Sequence, residues 1–207
     1  SHVETQISGC SHTWGVCQEY KGLPFSNSPV KTQAGFYWAQ VSDSLEDSCN
    51  SSLAKTRDPC KMPPNARSWF AAQVHNEDLY VLGGVTPCGY AEQIRISTDG
   101  ITWKTVEQKS ISPFPRLHFT SESFRGFLWV LGGKKGEHSF VMNDVWRSRD
   151  GSRWELVLEA AEWQQRGLHA SVVFRGYLWL IAGQNNASQA LCDVWYSADG
   201  RVWVMAV

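Results

Sequence analysis

The chain has 207 residues, 43% of them hydrophobic, and a formal net charge of −1 from 19 Lys and Arg against 20 Asp and Glu. That balance, with no basic stripe, excludes a nucleic-acid binder held by phosphate contacts. No apolar run approaches the roughly 18 residues that span a bilayer, which excludes insertion by a helix; the composition is that of a soluble all-β protein.

Residues 1–66 are rich in Pro, Ser and Cys and show little periodicity. Ile7, Ser8, Thr13 and Trp14 align with Ile96, Ser97, Thr102 and Trp103 further on, which marks 7–17 as a stray closing strand. Gly35-Phe36-Tyr37-Trp38 matches Gly126-Phe127-Leu128-Trp129, so a compressed, degenerate unit over 24–62 is one reading. A loop-rich insertion stapled by cysteines is the other.

From residue 67 the chain repeats. Ser-x-Asp-Gly-x-x-Trp occurs at Ser97–Trp103, Ser148–Trp154 and Ser197–Trp203, with the tryptophans 51 and 49 residues apart. Arg67, Arg116 and Arg166 each stand 16 residues before a small pair: Gly83-Gly84, Gly132-Gly133 and Ala182-Gly183. An apolar run precedes each pair, and Asp144-Val145-Trp146 matches Asp193-Val194-Trp195, with Gln93-Ile94-Arg95 in the first unit. A period near fifty means stacked supersecondary units. The units run over 67–106, 116–157 and 166–207, and each predicts four short strands. The first carries the Arg; an Arg-Gly turn leads to the second, which ends at the small pair. The third ends at Ser-x-Asp, and the Asp-Gly turn folds the fourth back from the Trp. The second strand lacks polar alternation, so it is expected to be buried on both faces, as between neighbouring sheets. The helix-like stretch at 158–165 falls between units and is expected to be a connection or a single turn.

These landmarks resemble the kelch-repeat β-propeller family, in the variant with Ser-x-Asp-Gly-x-x-Trp units and with a likeness to the central domain of galactose oxidase. The resemblance implies an all-β fold of four-stranded antiparallel blades. Closed kelch rings have six or seven blades, and three clear units fall short of that. A partial propeller is therefore expected: a piece of a longer protein, or a chain that completes its ring with another.

Six cysteines are present, Cys10, Cys17, Cys49, Cys60, Cys88 and Cys192. An even count in loop-rich sequence favours disulfides and an oxidising compartment. Proximity suggests that the first four pair among themselves, and reduced thiols are the alternative. Asn50-Ser51-Ser52 and Asn186-Ala187-Ser188 are glycosylation sequons. Together these features predict a secreted or cell-surface glycoprotein, with a cytoplasmic location as the alternative.

An antiparallel meander sends the loops after its second and fourth strands to one face. The loops after the second strand differ most between units, and repeat scaffolds place specificity in such loops. Lys134, Lys135, His138, Phe140 and Tyr90 are the candidate binding residues there. Arg67, Arg116 and Arg166 lie on the same face. They form either a guanidinium ring for carboxylates or a structural ion pair repeated in each blade, and their recurrence favours the second. Asp99, Asp150 and Asp199 sit in a motif one residue shorter than the sialidase Asp box, and a structural hairpin role is expected for them.

No catalytic residue, cofactor or metal site is expected. No Tyr–Glu pair stands out for sialidase chemistry, no Cys-x-x-Cys for zinc, and His118 and His169 are offset by one residue, which puts them on opposite strand faces. The expected function is a non-catalytic protein-interaction or assembly module, whose partner is a protein or further blades of the same or another chain. The alternatives are a carbohydrate-binding or carbohydrate-active propeller, using the arginines and exposed aromatics, and an intracellular kelch adaptor.

Overall fold

Residues 67–86, 89–136 and 140–206, with two strand pieces before them, are described in a computed structural model. The chain divides into two units, Ser1–Arg57 and Asp58–Val207. In the first, Val30–Lys31 (β1) and Tyr37–Trp38 (β2) pair antiparallel. The closing strand and degenerate blade read into 7–17 and 24–62 otherwise lie outside the described residues.

Every described element of the second unit is a strand, and three antiparallel sheets carry the architecture. The first sheet orders Ala71–His75 (β3), Asp78–Leu82 (β4), Ile94–Ser97 (β7) and Lys104–Val106 (β8), with the hairpin Val85–Thr86 (β5) and Gly89–Tyr90 (β6) projecting from the loop between β4 and β7. The second orders Thr120–Phe124 (β10), Phe127–Lys135 (β11), Val141–Ser148 (β12) and Trp154–Leu158 (β13), and Arg116–Leu117 (β9) pairs with the end of β11. The third orders Ala170–Phe174 (β14), Tyr177–Gln184 (β15), Ala190–Ser197 (β16) and Val204–Met205 (β17). Each is a simple meander, so each sheet is a four-stranded blade. The stretch 159–165 is irregular loop.

Three local expectations need correction. The Arg does not sit on the first strand. It lies in a separate short segment, set off by a left-handed residue two positions on: Trp69, His118 and Leu168, with φ of 55°, 54° and 57°. A strand cannot continue through that conformation. Nor does the second strand always stop at the small pair: β11 and β15 run past it through a bulge, because Gly132-Gly133 and Ala182-Gly183 all take positive φ. The tight two-residue hairpins are Asn76-Glu77, Arg125-Gly126 and Arg175-Gly176, positive in φ at both positions, whereas Asp-Gly belongs to a longer turn.

The core lies between blades. One cluster joins Tyr80, Leu82 and Ile94 of the first blade to Phe114, Phe119, Leu128, Val130, Trp146 and Trp154 of the second. The other joins Phe124, Trp129, Leu131 and Val145 to Ala161, Trp163, Leu178, Leu180 and Trp203. Strand β11 is thus covered on both sides, as its unbroken apolar run predicts. Strand β15 alternates instead, with Leu178 and Leu180 fully buried and Ile181 36% exposed, because among the described residues only one of its faces has a neighbouring blade.

Polar contacts repeat at the two blade junctions. The N–H groups of Gly84 and Gly133 donate to the carbonyls of Arg116 and Arg166 in the following blade, at 2.9 and 2.8 Å. Ser171 donates to Glu122 across the second junction at 2.6 Å. At the first, His75 Nε2 lies 2.9 Å from the Arg149 carbonyl, which makes that nitrogen the donor and leaves Nδ1 to accept from Ser123.

Candidate functional site

The repeated arginines are fixed by their own blades. Arg116 forms a two-pronged pair with Asp144, Nη1 to Oδ1 at 2.6 Å and Nη2 to Oδ2 at 2.7 Å, and it also donates to the carbonyls of Gly132 and Pro113. Trp146 Nε1 donates to the same carboxylate. Arg166 repeats the pattern with Asp193, Ala182, Gln164 and Trp195. Both guanidinium groups are 0% exposed. The Arg166 fork, opposed by partial burial and assisted by Trp195, holds the Asp193 carboxyl below its ordinary range. In the first blade Gln93 stands in the Asp position, and Arg67 donates to the carbonyls of Gly83 and Gln93. Arg116 and Arg166 therefore present no free fork to a carboxylate ligand.

The Asp-Gly turns are also self-contained. Asp99 Oδ1 accepts from the N–H groups of Ile101 and Thr102 and from the Ser97 hydroxyl, while Gly100 N–H donates to Ser97 Oγ. Asp150 and Asp199 repeat the pattern. Those bonds keep the Asp99 carboxyl far below its usual range. The Asp199 carboxyl is lowered by the Arg201 N–H against some burial. Burial pulls Asp150 the other way, and its bonds to Ser152 and Arg153 outweigh it.

The histidines fill separate roles. His169 is 7% exposed and lies 3.0 Å from Thr120 Oγ1; burial, and then Arg166, lower its pKa to about 3. His118 stacks edge-on to Trp69 at 5.2 Å, and burial followed by Lys134 holds it below its ordinary value. No cluster of three or more metal-ligating side chains occurs among the described residues.

The long-loop face gathers some of the predicted binding residues. Lys134 and Lys135 are half-buried at the end of β11, opposite Leu117 and Arg116. Phe140 is 67% exposed and adjoins Val141, whose N–H donates to Asn186 Oδ1 at 2.6 Å. Tyr90 is on the β5–β6 hairpin of the first blade, and His138 lies outside the described residues. Asn186 Nδ2 donates to Gln165 Oε1 at 2.9 Å and to the Val141 carbonyl at 3.5 Å. Its side chain thus ties the second blade to the third. Cys192 is an exposed, unpaired thiol on β16; Cys10, Cys17, Cys49, Cys60, Cys88 and Asn50 are outside the described residues.

Between the second and third blades, on the same face, an open groove of about 650 Å³ is lined by Asn143, Gln165, Asn185, Asn186 and Gln189 beside Glu162. The sequence puts the loop 184–191 and the connection 158–165 on one face, although its candidate binding residues lie in other loops.

No family model matches the chain. Over 102 residues, 45% of its length, it is 33% identical to mouse Kelch-like protein 40, and the matched stretch is 16% of that relative. The likeness and the four-stranded antiparallel sheets agree on kelch-type blades.

Proposed function

We propose that this chain is a non-catalytic protein-interaction module that binds its partner on the long-loop face. One observation carries the reading. The polar side chains that recur from blade to blade are engaged in holding the blades, whereas the loops on one face differ between blades and carry the exposed Phe140, the two lysines and an amide-lined groove. The likeness to a Kelch-like protein points the same way. The reading of Arg67, Arg116 and Arg166 as a site for acidic sugars loses support, because two of the three forks already hold Asp144 and Asp193.

The test is cross-linking capture from the source organism with wild type, with a Phe140→Ala, Gln189→Ala double variant, and with Val202→Ala on the opposite face. Loss of one defined partner with the loop variant alone is expected. Capture that is indifferent to the loops overturns the reading.

We further propose an extracellular or cell-surface location, supported by the two sequons and by the four cysteines clustered before residue 67. A glycan on Asn186 would take one of the two Nδ2 hydrogens that now bond Gln165 and Val141. Intact mass before and after glycosidase and reductant decides it: an unmodified, fully reduced chain would place the protein inside the cell.

A further inference from the structure

The second blade carries charges that the repeat does not require. Arg147, Arg149, Arg153 and Glu155 correspond to Ile96, Thr98, Thr102 and Lys104 in the first blade and to Tyr196, Ala198, Val202 and Val204 in the third. The other two blades fold without them. In the second blade all four line one pocket with Phe127, about 310 Å³ in volume, around the turn that follows β12. The turn is on the face opposite the long loops, and its blade has described neighbours on both sides.

The acidic groups of the pocket are already engaged. Arg147 forks onto the Glu155 carboxylate, Nε to Oε2 at 2.9 Å and Nη2 to Oε1 at 3.1 Å, and Arg201 of the third blade donates to the same Oε1 at 3.2 Å. Asp150 accepts from the N–H groups of Ser152 and Arg153 and from the Ser148 and Ser152 hydroxyls of its own turn. Arg149 and Arg153 differ: neither guanidinium group has an acceptor among the described residues. Arg149 lies over the Phe127 ring at 4.4 Å, as Arg147 does. Such stacking holds a guanidinium by its flat face and leaves the N–H groups, which lie in its plane, able to donate. The backbone is fixed as well. The Arg149 carbonyl accepts from His75 of the first blade at 2.9 Å, and the Arg153 carbonyl from the Ser148 hydroxyl at 2.6 Å. Four guanidinium groups meet two carboxylates here, which leaves two positive charges unmatched.

We propose that this pocket binds a phosphate group, with Arg149 and Arg153 as its donors and Phe127 as the platform that orients Arg149. Phosphate near neutral pH carries a charge of about −1.5 to −2, which matches the unmatched pair. Two guanidinium groups can share the several free oxygens of a phosphate. A carboxylate has two oxygens, and one fork fills them, as Arg147 fills those of Glu155. The site is separate from the long-loop face, so it stands or falls independently of a protein partner there.

Isothermal titration calorimetry of the whole chain at physiological ionic strength tests this, with phenyl phosphate, inorganic phosphate, phenyl sulfate and benzoate as probes. Both phosphates should bind, and phenyl sulfate and benzoate should bind less tightly. Tighter binding of phenyl phosphate identifies a phosphate ester as the ligand; equal binding of the two identifies the free ion. Arg149→Gln and Arg153→Gln should each weaken phosphate binding by about tenfold, since each removes a charged donor. Arg175→Gln should leave it unchanged, because that exposed arginine stacks on Phe174 in a different turn. All three substitutions change exposed side chains, and a thermal melt of each checks that the fold is kept. No binding of either phosphate at millimolar concentration overturns the proposal. So does binding that Arg175→Gln weakens as much as Arg149→Gln, the mark of diffuse surface charge, or benzoate or phenyl sulfate binding as tightly as phosphate.

Discussion

At the residue scale, Arg116 and Asp144 pair with side chains 0% and 5% exposed. Removing one partner of such a pair leaves a buried charge unmatched, which costs about 3–5 kcal/mol. Asp144→Ala should therefore lower the unfolding free energy in urea by about that amount. Arg116→Met with Asp144→Leu should lose much less, since neither charge then remains; equal losses would show that the residues matter by shape and not by charge. His169 gives a pH dependence. Burial and Arg166 depress its pKa from 6.5 to about 3, so the folded state keeps it neutral where the unfolded chain takes up a proton. Its contribution is complete above pH 6.5 and is lost as pH falls toward 3. Phe119 holds the equivalent position in the second blade. His169→Phe should flatten the fall in melting temperature from pH 6.5 downward, until the lowered Asp150, Asp193 and Asp199 carboxylates titrate. An unchanged profile would contradict the buried neutral imidazole.

At the element scale, the small pair marks where one blade's second strand passes the next blade's arginine segment. A Cβ on Gly133 would lie 2.5 Å from Phe119 Cβ, and φ there is 87°. Gly133→Val should accordingly destabilise the second blade, a loss read in a thermal melt. Ala182 holds φ 56°, a left-handed conformation that costs a residue with a side chain about 1–2 kcal/mol. Ala182→Gly should stabilise the third blade by about 1 kcal/mol in urea unfolding, net of the greater freedom that glycine has in the unfolded chain. A destabilisation would mean that the Ala methyl packs better than its backbone angle suggests.

At the scale of the whole molecule, the second blade is, among the described residues, the one covered on both sides by others. Trp129, Leu131 and Val145 face the third blade, and Leu128 and Val130 face the first. Stability varies through a fold with such coverage. Amide hydrogen exchange should be slowest in β11 and β12 and faster in β15 and β16. Equal protection would mean that the blades open together.

The repeat, the four-strand blades and the structural Asp-Gly turns were legible in the sequence because each depends on residues close in the chain or on one period. Asp99 caps residues two and three positions ahead, and that is local chemistry. The partner of each arginine was not legible. Asp144 lies 28 residues from Arg116, and only the closed meander brings them together. The meander puts 158–165 and 184–191 on one face, but that 160–165 and 185–189 line a single groove depends on how the strands stack. Exposure was the last to be settled. Trp129 and Trp179 occupy the same position in the same motif, yet one is 1% exposed and the other stands on an open face. Sequence determines which face of a strand is apolar; whether a neighbour stands against that face is a property of the folded arrangement alone.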